Sequence, residues 1–287
     1  MTISNRSHEQ AVSPRRTGRI PLGLRNVGLK SLWDQRQSLL WWSGGTALMA
    51  AIIIMLFPSI GAADELEALF EQMPPVVQAM IGEEFDLSTA AGYLDIRMFA
   101  SIGPIIFLVY AIGRGNAAIA GEESRGTMDL LLSNPVHRWR IVVESGLAII
   151  AGLTLIGLAL WIGLIIGGAI LNVEFDIIRA GQASLMSALL GAVFGALTLL
   201  IGALTGNSGR SIGITAAVAI ATFFLHSLAP LIDWLEPYRI LSPFYYSTGH
   251  SVMLNGFNAE YAVVMSAIAV GVTVLAVLAF QRRDVQV

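Results

Sequence analysis

Ile141–Leu171 reads IVVESGLAIIAGLTLIGLALWIGLIIGGAIL, 31 residues in which Glu144 is the sole charge. About 20 mostly apolar residues cross a bilayer as a helix. This stretch is therefore a spanning helix with length to spare, and it must tilt, bend or project beyond the hydrocarbon. Five stretches of the same kind accompany it: Leu39–Ile60, about Met98–Ile119, about Ala183–Leu204, Ile212–Leu235 and Tyr261–Phe280. The whole chain agrees with that reading. Its 287 residues are 55% hydrophobic and 13% charged, about half the charge of a soluble domain, and its mean hydropathy is +0.70. The predicted fold is an all-α integral membrane protein with six transmembrane helices. The first stretch is read as a retained span, because its apolar run and basic leader are too long for a cleaved signal peptide.

Basic residues set the orientation. Residues before the first span, those between the second and third, those after the fourth, and the tail together hold 14 of the 17 basic residues. The other side has Arg97, Arg179 and Arg239. Its loop 61–97 carries eight acids: Asp64, Glu65, Glu67, Glu71, Glu83, Glu84, Asp86 and Asp95. Both termini are expected in the cytoplasm, in a multi-pass protein of the plasma membrane. The expected organisation is a basic leader over residues 1–37 and a six-span domain over 38–287, with an outer acidic loop at 61–97 and a cytoplasmic segment at 113–140. Within the spans, Gly163 and Gly167, and Gly191 and Gly195, are small residues four apart that let helix backbones approach closely in lipid. Spacing alone leaves open whether they pack within one subunit or form a seam between two.

Several chemistries are excluded. A net charge of −3 points to no nucleic-acid partner, and zero cysteines remove disulfides, thiolate metal sites and cysteine nucleophiles. A phosphate-binding loop needs G-x-x-x-x-G-K-[ST]. Gly23, Gly28, Lys30 and Ser31 miss it because Leu29 intrudes, and Lys30 is the sole lysine. No nucleotide site or ATP hydrolysis is expected of this chain. His8, His137, His226 and His250 form no metal-binding helix pattern, so neither a metal nor a catalytic residue is assigned. His226, near the outer end of the fifth span, is either a satisfied packing histidine or a contact on a substrate path.

The stretch that carries information is 113–145. Gly126 ends one helix. Thr127 can cap the next, with Asp129 in its first turn. Leu130, Leu131 and Leu132 form a short apolar run, and Ser133-Asn134-Pro135 restarts a helix that feeds the third span. The product is a helix–elbow–short helix–elbow–helix unit that offers acids, an arginine and an apolar knob to a partner. Just beyond it, Glu144 stands at helical spacing from Arg140, with which it can pair.

Glu122-Glu123-x-Arg125-Gly126-Thr127-x-x-Leu130-Leu131-Leu132-Ser133-x-Pro135-Val136 resembles the cytoplasmic signature of type-2 ABC exporter permeases. Leu235-Glu236-Pro237-Tyr238, Leu241-Ser242-Pro243-Phe244 and the ending Phe280-Gln281-Arg282-Arg283-Asp284 are similar to the same family. The resemblance implies the membrane half of an ATP-driven exporter of a hydrophobic or amphipathic substrate, working by alternating access. It implies pairing with a second half, the same or a related chain, and two cytoplasmic ABC ATPase subunits that hold ATP and Mg2+. This chain itself would bind no cofactor. The segment between the second and third spans would be a coupling helix docked on the ATPase, its contacts drawn from Glu122, Glu123, Arg125, Gly126, Thr127, Leu130, Leu131, Leu132, Ser133 and Pro135.

The resemblance further implies an amphipathic interfacial helix before the first span, using Leu22, Leu29, Leu32, Trp33 and Arg36. It also implies a re-entrant segment between spans five and six, around Pro230, Pro237, Pro243 and their neighbouring aromatics; an ordinary interfacial aromatic belt explains the same residues. In the outer loop, Leu66, Leu69, Phe70 and Met73, then Val76, Val77, Met80 and Ile81, suggest two short amphipathic helices. Two other classes stay open. One is a carrier driven by an ion gradient, which would need polar groups at membrane depth. The other is a membrane-embedded enzyme or scaffold.

Overall fold

The structure is a computed structural model and describes residues 36–59, 72–75, 77, 89–124, 126 and 137–283. Among these residues the regular structure is entirely helical. Helix α1 is Arg36–Leu56, continued by a 3-10 turn over Phe57–Ser59; α2 is Ala90–Ala118; α3 is the short Ala120–Ser124. Helix α4 is Arg138–Leu171, α5 is Ile177–Thr205, and α6 is Ser208–Leu228 followed by a 3-10 turn over Ala229–Leu231. A 3-10 segment over Glu236–Leu241, α7 (Pro243–Ser247) and α8 (Val252–Asn255) then lead into α9 (Ala259–Arg282). Helices α1, α2, α4, α5, α6 and α9 are the six long and apolar enough to cross a membrane.

Nearly every face of these helices is apolar, so small residues decide which faces pack. Helix α5 is the hub: its most hydrophobic window is 72% buried, against 22% for α6 and for α9. It packs on α2, α4, α6 and α9, while α1 lies along α4. The glycines explain this order. A methyl on Gly163 would sit 2.7 Å from Ala47 Cα, and one on Gly167 2.8 Å from Ala51 Cα, so α4 accepts α1 at backbone distance. A methyl on Gly191 would stand 2.8 Å from Leu153 Cδ2, and one on Gly195 3.0 Å from Ile149 Cγ2. Both glycine pairs are therefore filled from within the chain, and the alternative of an intersubunit seam along them is set aside.

Two limits differ most from the sequence expectation. The second helix begins at Ala90 rather than about Met98, because Thr89 caps it: its Oγ1 accepts from Gly92 N at 3.1 Å. Asp95 and Arg97, expected in the outer loop, thereby fall inside α2. They sit in a π-helical segment, Asp95–Ile102, whose wider turn rotates Asp95 inward to 6% exposure. The fifth long helix stops at Leu228 instead of reaching Leu235, as Pro230 and Pro237 withhold backbone donors and leave 3-10 turns. Helix α4 has 34 residues, about 51 Å at 1.5 Å per residue, and so exceeds a hydrocarbon core by about 20 Å. Residues 1–35 of the leader, most of the expected amphipathic loop helices, and residues 127–136 lie outside the described residues, while Arg36 of the expected interfacial helix opens α1.

Candidate functional site

The bundle has a basal end, where α9 finishes and α4 and α6 begin, and a distal end, where α4 finishes and α5 and α9 begin. At the basal end, α3 is a single short helix hung from α2 through Ile119, with Glu122 and Glu123 in its first turn. Glu123 faces inward. Its carboxylate takes a two-pronged grip from Arg283, the residue after α9: Arg283 Nη2 donates to Oε1 at 2.6 Å and Nη1 to Oε2 at 3.2 Å. The two side chains are 13% and 20% exposed, which spares the pair much of the solvent screening that weakens surface pairs. Two parallel charge-assisted bonds also fix orientation as well as distance.

This clasp gathers four elements. Arg283 Nη1 also donates to Ala203 O of α5 at 3.3 Å. Arg138, the first residue of α4, donates from Nη1 to Arg283 O at 2.6 Å. Gly206, just past α5, has φ +61°, a left-handed conformation that favours glycine. Any side chain there would collide with Arg283 Nη2 and both Glu123 carboxylate oxygens. A second tether lies beside the first. Asn116 Nδ2 donates to Ser208 Oγ at 2.8 Å, and Ser208 N donates to Ser124 Oγ at 3.4 Å. Helix α3 is thus fixed to α5, α6 and α9 before the chain turns away at Gly126, where φ is +68°.

The sequence-predicted site residues divide accordingly. Glu123 is in the clasp, Glu122 is half-buried beside it, and Gly126 is exposed at the turn. Arg125, Thr127, Leu130, Leu131, Leu132, Ser133 and Pro135 lie outside the described residues. Arg140 and Glu144 stand 3.3 Å apart one helical turn into α4. Sequence reasoning missed the partners of Glu123. Arg283 was visible only as part of a similar ending, and Arg138 only as a positive charge. The left-handed glycine after α5 was the one local signal for that corner.

His226 is at the distal end, away from the clasp. Arg239 Nε donates to its Nδ1 at 3.3 Å, so in the neutral ring the proton sits on Nε2, 3.3 Å from Thr248 Oγ1. Thr248 Oγ1 in turn donates to Phe244 O at 2.9 Å. Both ring nitrogens are occupied by the segment between α6 and α9. Arg179 Nη1 holds the same segment by donating to Met253 O at 3.1 Å and Leu254 O at 2.6 Å. Tyr261 OH donates to Tyr245 OH at 3.1 Å, and Ser242 Oγ donates to Thr222 O at 2.7 Å.

Among the described residues, the hydroxyl that meets a histidine, Thr248 Oγ1, is committed to Phe244 O. What the basal end can do is mechanical: it joins the helix that precedes residues 127–136 to three membrane-crossing helices by directed bonds. Residues 33–285 match the model of a family described as ABC-2 family transporter protein. No curated protein matches the chain.

Proposed function

The chain belongs to the ABC-2 type transporter permease family, and on that premise we propose that it is the membrane-spanning half of an ATP-driven exporter. In this reading it pairs with a second half, the same or a related chain, and with two cytoplasmic ATPase subunits that bind ATP and Mg2+. It contributes a pathway, and no catalytic chemistry, for a hydrophobic or amphipathic substrate. Its termini and residues 113–140 face the cytoplasm, in agreement with the concentration of arginines at the basal end.

The observation that carries the reading is the clasp. Within the coupling segment 113–140, the stretch 127–136 with Leu130, Leu131 and Leu132 as its apolar knob follows a short helix bonded to α5 and α9 through Glu123 and Arg283. Arg138 joins α4, at the segment's other end, to the same node. A push on the segment from an ATPase therefore reaches α4, α5 and α9 together. Closure of the ATPase pair around ATP supplies that push, and the spans follow only as far as the ATPase binds its two conformations differently.

The test is co-purification of a tagged chain from its host in mild detergent, with the captured material assayed for a cytoplasmic ATPase. Leu130→Asp together with Leu131→Asp should release the ATPase while leaving insertion and thermal stability unchanged. Retention of the ATPase by that variant would remove the segment from the interface. Transport by a preparation that never contains an ATPase would remove the exporter reading.

One observation favours the gradient-driven alternative: Asp95 is a carboxylic acid within α2 and only 6% exposed, the kind of group such carriers use. Asp95→Asn should leave ATP-driven transport within about twofold, on the scale of one hydrogen-bonding change. Abolished transport with ATPase binding intact would favour the gradient reading.

A further inference from the structure

Toward the basal end, α4, α5 and α9 separate to leave a shallow exposed groove of about 260 Å³, smaller than a typical small-molecule site and open enough for part of an extended chain. Its walls include Gly146 and Ile150 of α4, Ala196 and Leu199 of α5, and Val270 and Val274 of α9. Ile150, Val270 and Val274 are 48%, 62% and 51% exposed, so the groove opens laterally. The hydroxyl among its lining residues, on Thr273, is spent on Ala269 O at 2.7 Å. The walls make no polar demand, and the shape suits hydrocarbon.

Basal to this groove, the helices that wall it carry arginines. Arg140 precedes Val143, Leu147 and Ile150 at helical spacing on one stripe of α4, and lies about 9 Å along the axis from Gly146. Trp139 beside it is 44% exposed, an aromatic of the kind that settles at the headgroup level. Arg282 ends α9 on its exposed face and has no ion pair or hydrogen bond among the described residues. Three acids stand at this end: Glu123 is gripped by Arg283, Glu144 is matched by Arg140, and Glu122 is half-buried beside the clasp. Arg138 donates to a carbonyl rather than a carboxylate, and Arg138, Arg140, Arg282 and Arg283 outnumber the three acids. A second copy of the chain laid symmetrically on this face would set those arginines against their own kind; an anionic headgroup would complement them.

We propose that this groove is a binding site for one anionic phospholipid, with part of an acyl chain between α4, α5 and α9 and its phosphate at Arg282 and at Arg140, which the phosphate shares with Glu144. The site needs only that these helices face lipid, and it stands apart from the transport reading. The full chain, purified in mild detergent, is offered equal amounts of dioleoyl phosphatidylglycerol and dioleoyl phosphatidylcholine, and bound lipid is counted by native mass spectrometry. One phosphatidylglycerol should be retained in preference. Arg140→Gln with Arg282→Gln should remove that preference, by roughly fivefold for each arginine, while Arg140→Lys with Arg282→Lys should keep it. Added salt should erode the preference in the unmodified chain.

A methyl on Gly146 would meet Thr273 Cγ2 at 3.6 Å, so Gly146→Leu fits at its root and fills the groove; it should expel both lipids. Equal retention of the two lipids, a preference that survives the glutamine pair, or one indifferent to salt would overturn the proposal. So would phosphatidylglycerol held by Gly146→Leu, or its displacement by millimolar inorganic phosphate, which would mark an anion site without a lipid. A dimer that Gly146→Leu converts to a monomer would assign the groove to a second copy instead.

Discussion

The two ends of the bundle are closed by different chemistry. At the basal end an ion pair, Glu123 with Arg283, gathers α3, α4, α5 and α9, and a left-handed glycine leaves room for it. At the distal end the segment from α6 to α9 is held by many smaller bonds: Arg179 to two carbonyls, His226 between Arg239 and Thr248, Ser242 to Thr222, and a tyrosine pair. An ionic node concentrates strength in two side chains, so losing one partner strands the other. A set of separate bonds to carbonyls, hydroxyls and an imidazole spreads it, so each loss is smaller. The basal end should therefore yield as one unit and the distal end piece by piece, which suits the push proposed for the basal end.

The sharpest break in this comparison is at Gly206. Gly206→Val puts a branched side chain at φ +61° and drives it into the clasp. Strain and overlap together should cost about 4 kcal/mol, read as a large fall in the thermal midpoint in detergent or as failure to fold. A near-neutral Gly206→Val would mean the clasp is loose enough to open without penalty. Next comes Arg283→Ala, which leaves Glu123 largely buried with its partner removed and should cost about 3 kcal/mol. Glu123→Ala with Arg283→Ala should recover part of that loss, because no charge is then stranded. If the double variant simply sums the two single losses, the pair is not a unit and the contrast between the ends fails.

The six spans were legible in the sequence because hydropathy over 20 residues depends on composition, and Ile141–Leu171 announces itself whatever it packs against. Packing order was not legible, since helices apolar on every side carry no stripe to read; only Gly163 and Gly167 marked where α1 would settle. The clasp was hidden for another reason. Glu123 and Arg283 are 160 positions apart, and nothing local to either names the other. Asp95 was hidden by averaging: its charge, with that of Arg97, ended the apolar window at Met98, while the π turn that carries it inward has no signature at this length. The resemblance at 122–136 implied a coupling role for this stretch, but it could not reveal that Glu123 is already engaged within the chain. A charge reversal at Glu123 would therefore disturb the fold and the partner together. The leucines of the segment are the cleaner probes.

At the distal end, Arg179→Ala should cost about 2 kcal/mol, the scale of charged donors lost from carbonyl acceptors. No carboxylate is stranded within a clasp, because Asp176 keeps its capping bonds to Ile178 N and Arg179 N. The contrast predicts that Arg179→Ala loosens α8, seen as faster amide exchange over Val252–Asn255, without affecting α3. Exchange rising at both ends together would show that the bundle has no separate ends to compare.

The smallest effect is expected at His226, and it discriminates most finely. His226→Ala removes one link between Arg239 and Thr248, yet Arg239 keeps its place over the Tyr245 ring at 5.4 Å, and Thr248 keeps its bond to Phe244 O. The loss should be about 1 kcal/mol, the net worth of an ordinary hydrogen bond, with transport per folded molecule unchanged. Both ring nitrogens are occupied by the protein, so a substrate would have to displace one of these bonds to engage the histidine. Full stability with lost transport would show that it does so, making His226 part of the pathway and the distal end something more than a shaped cap.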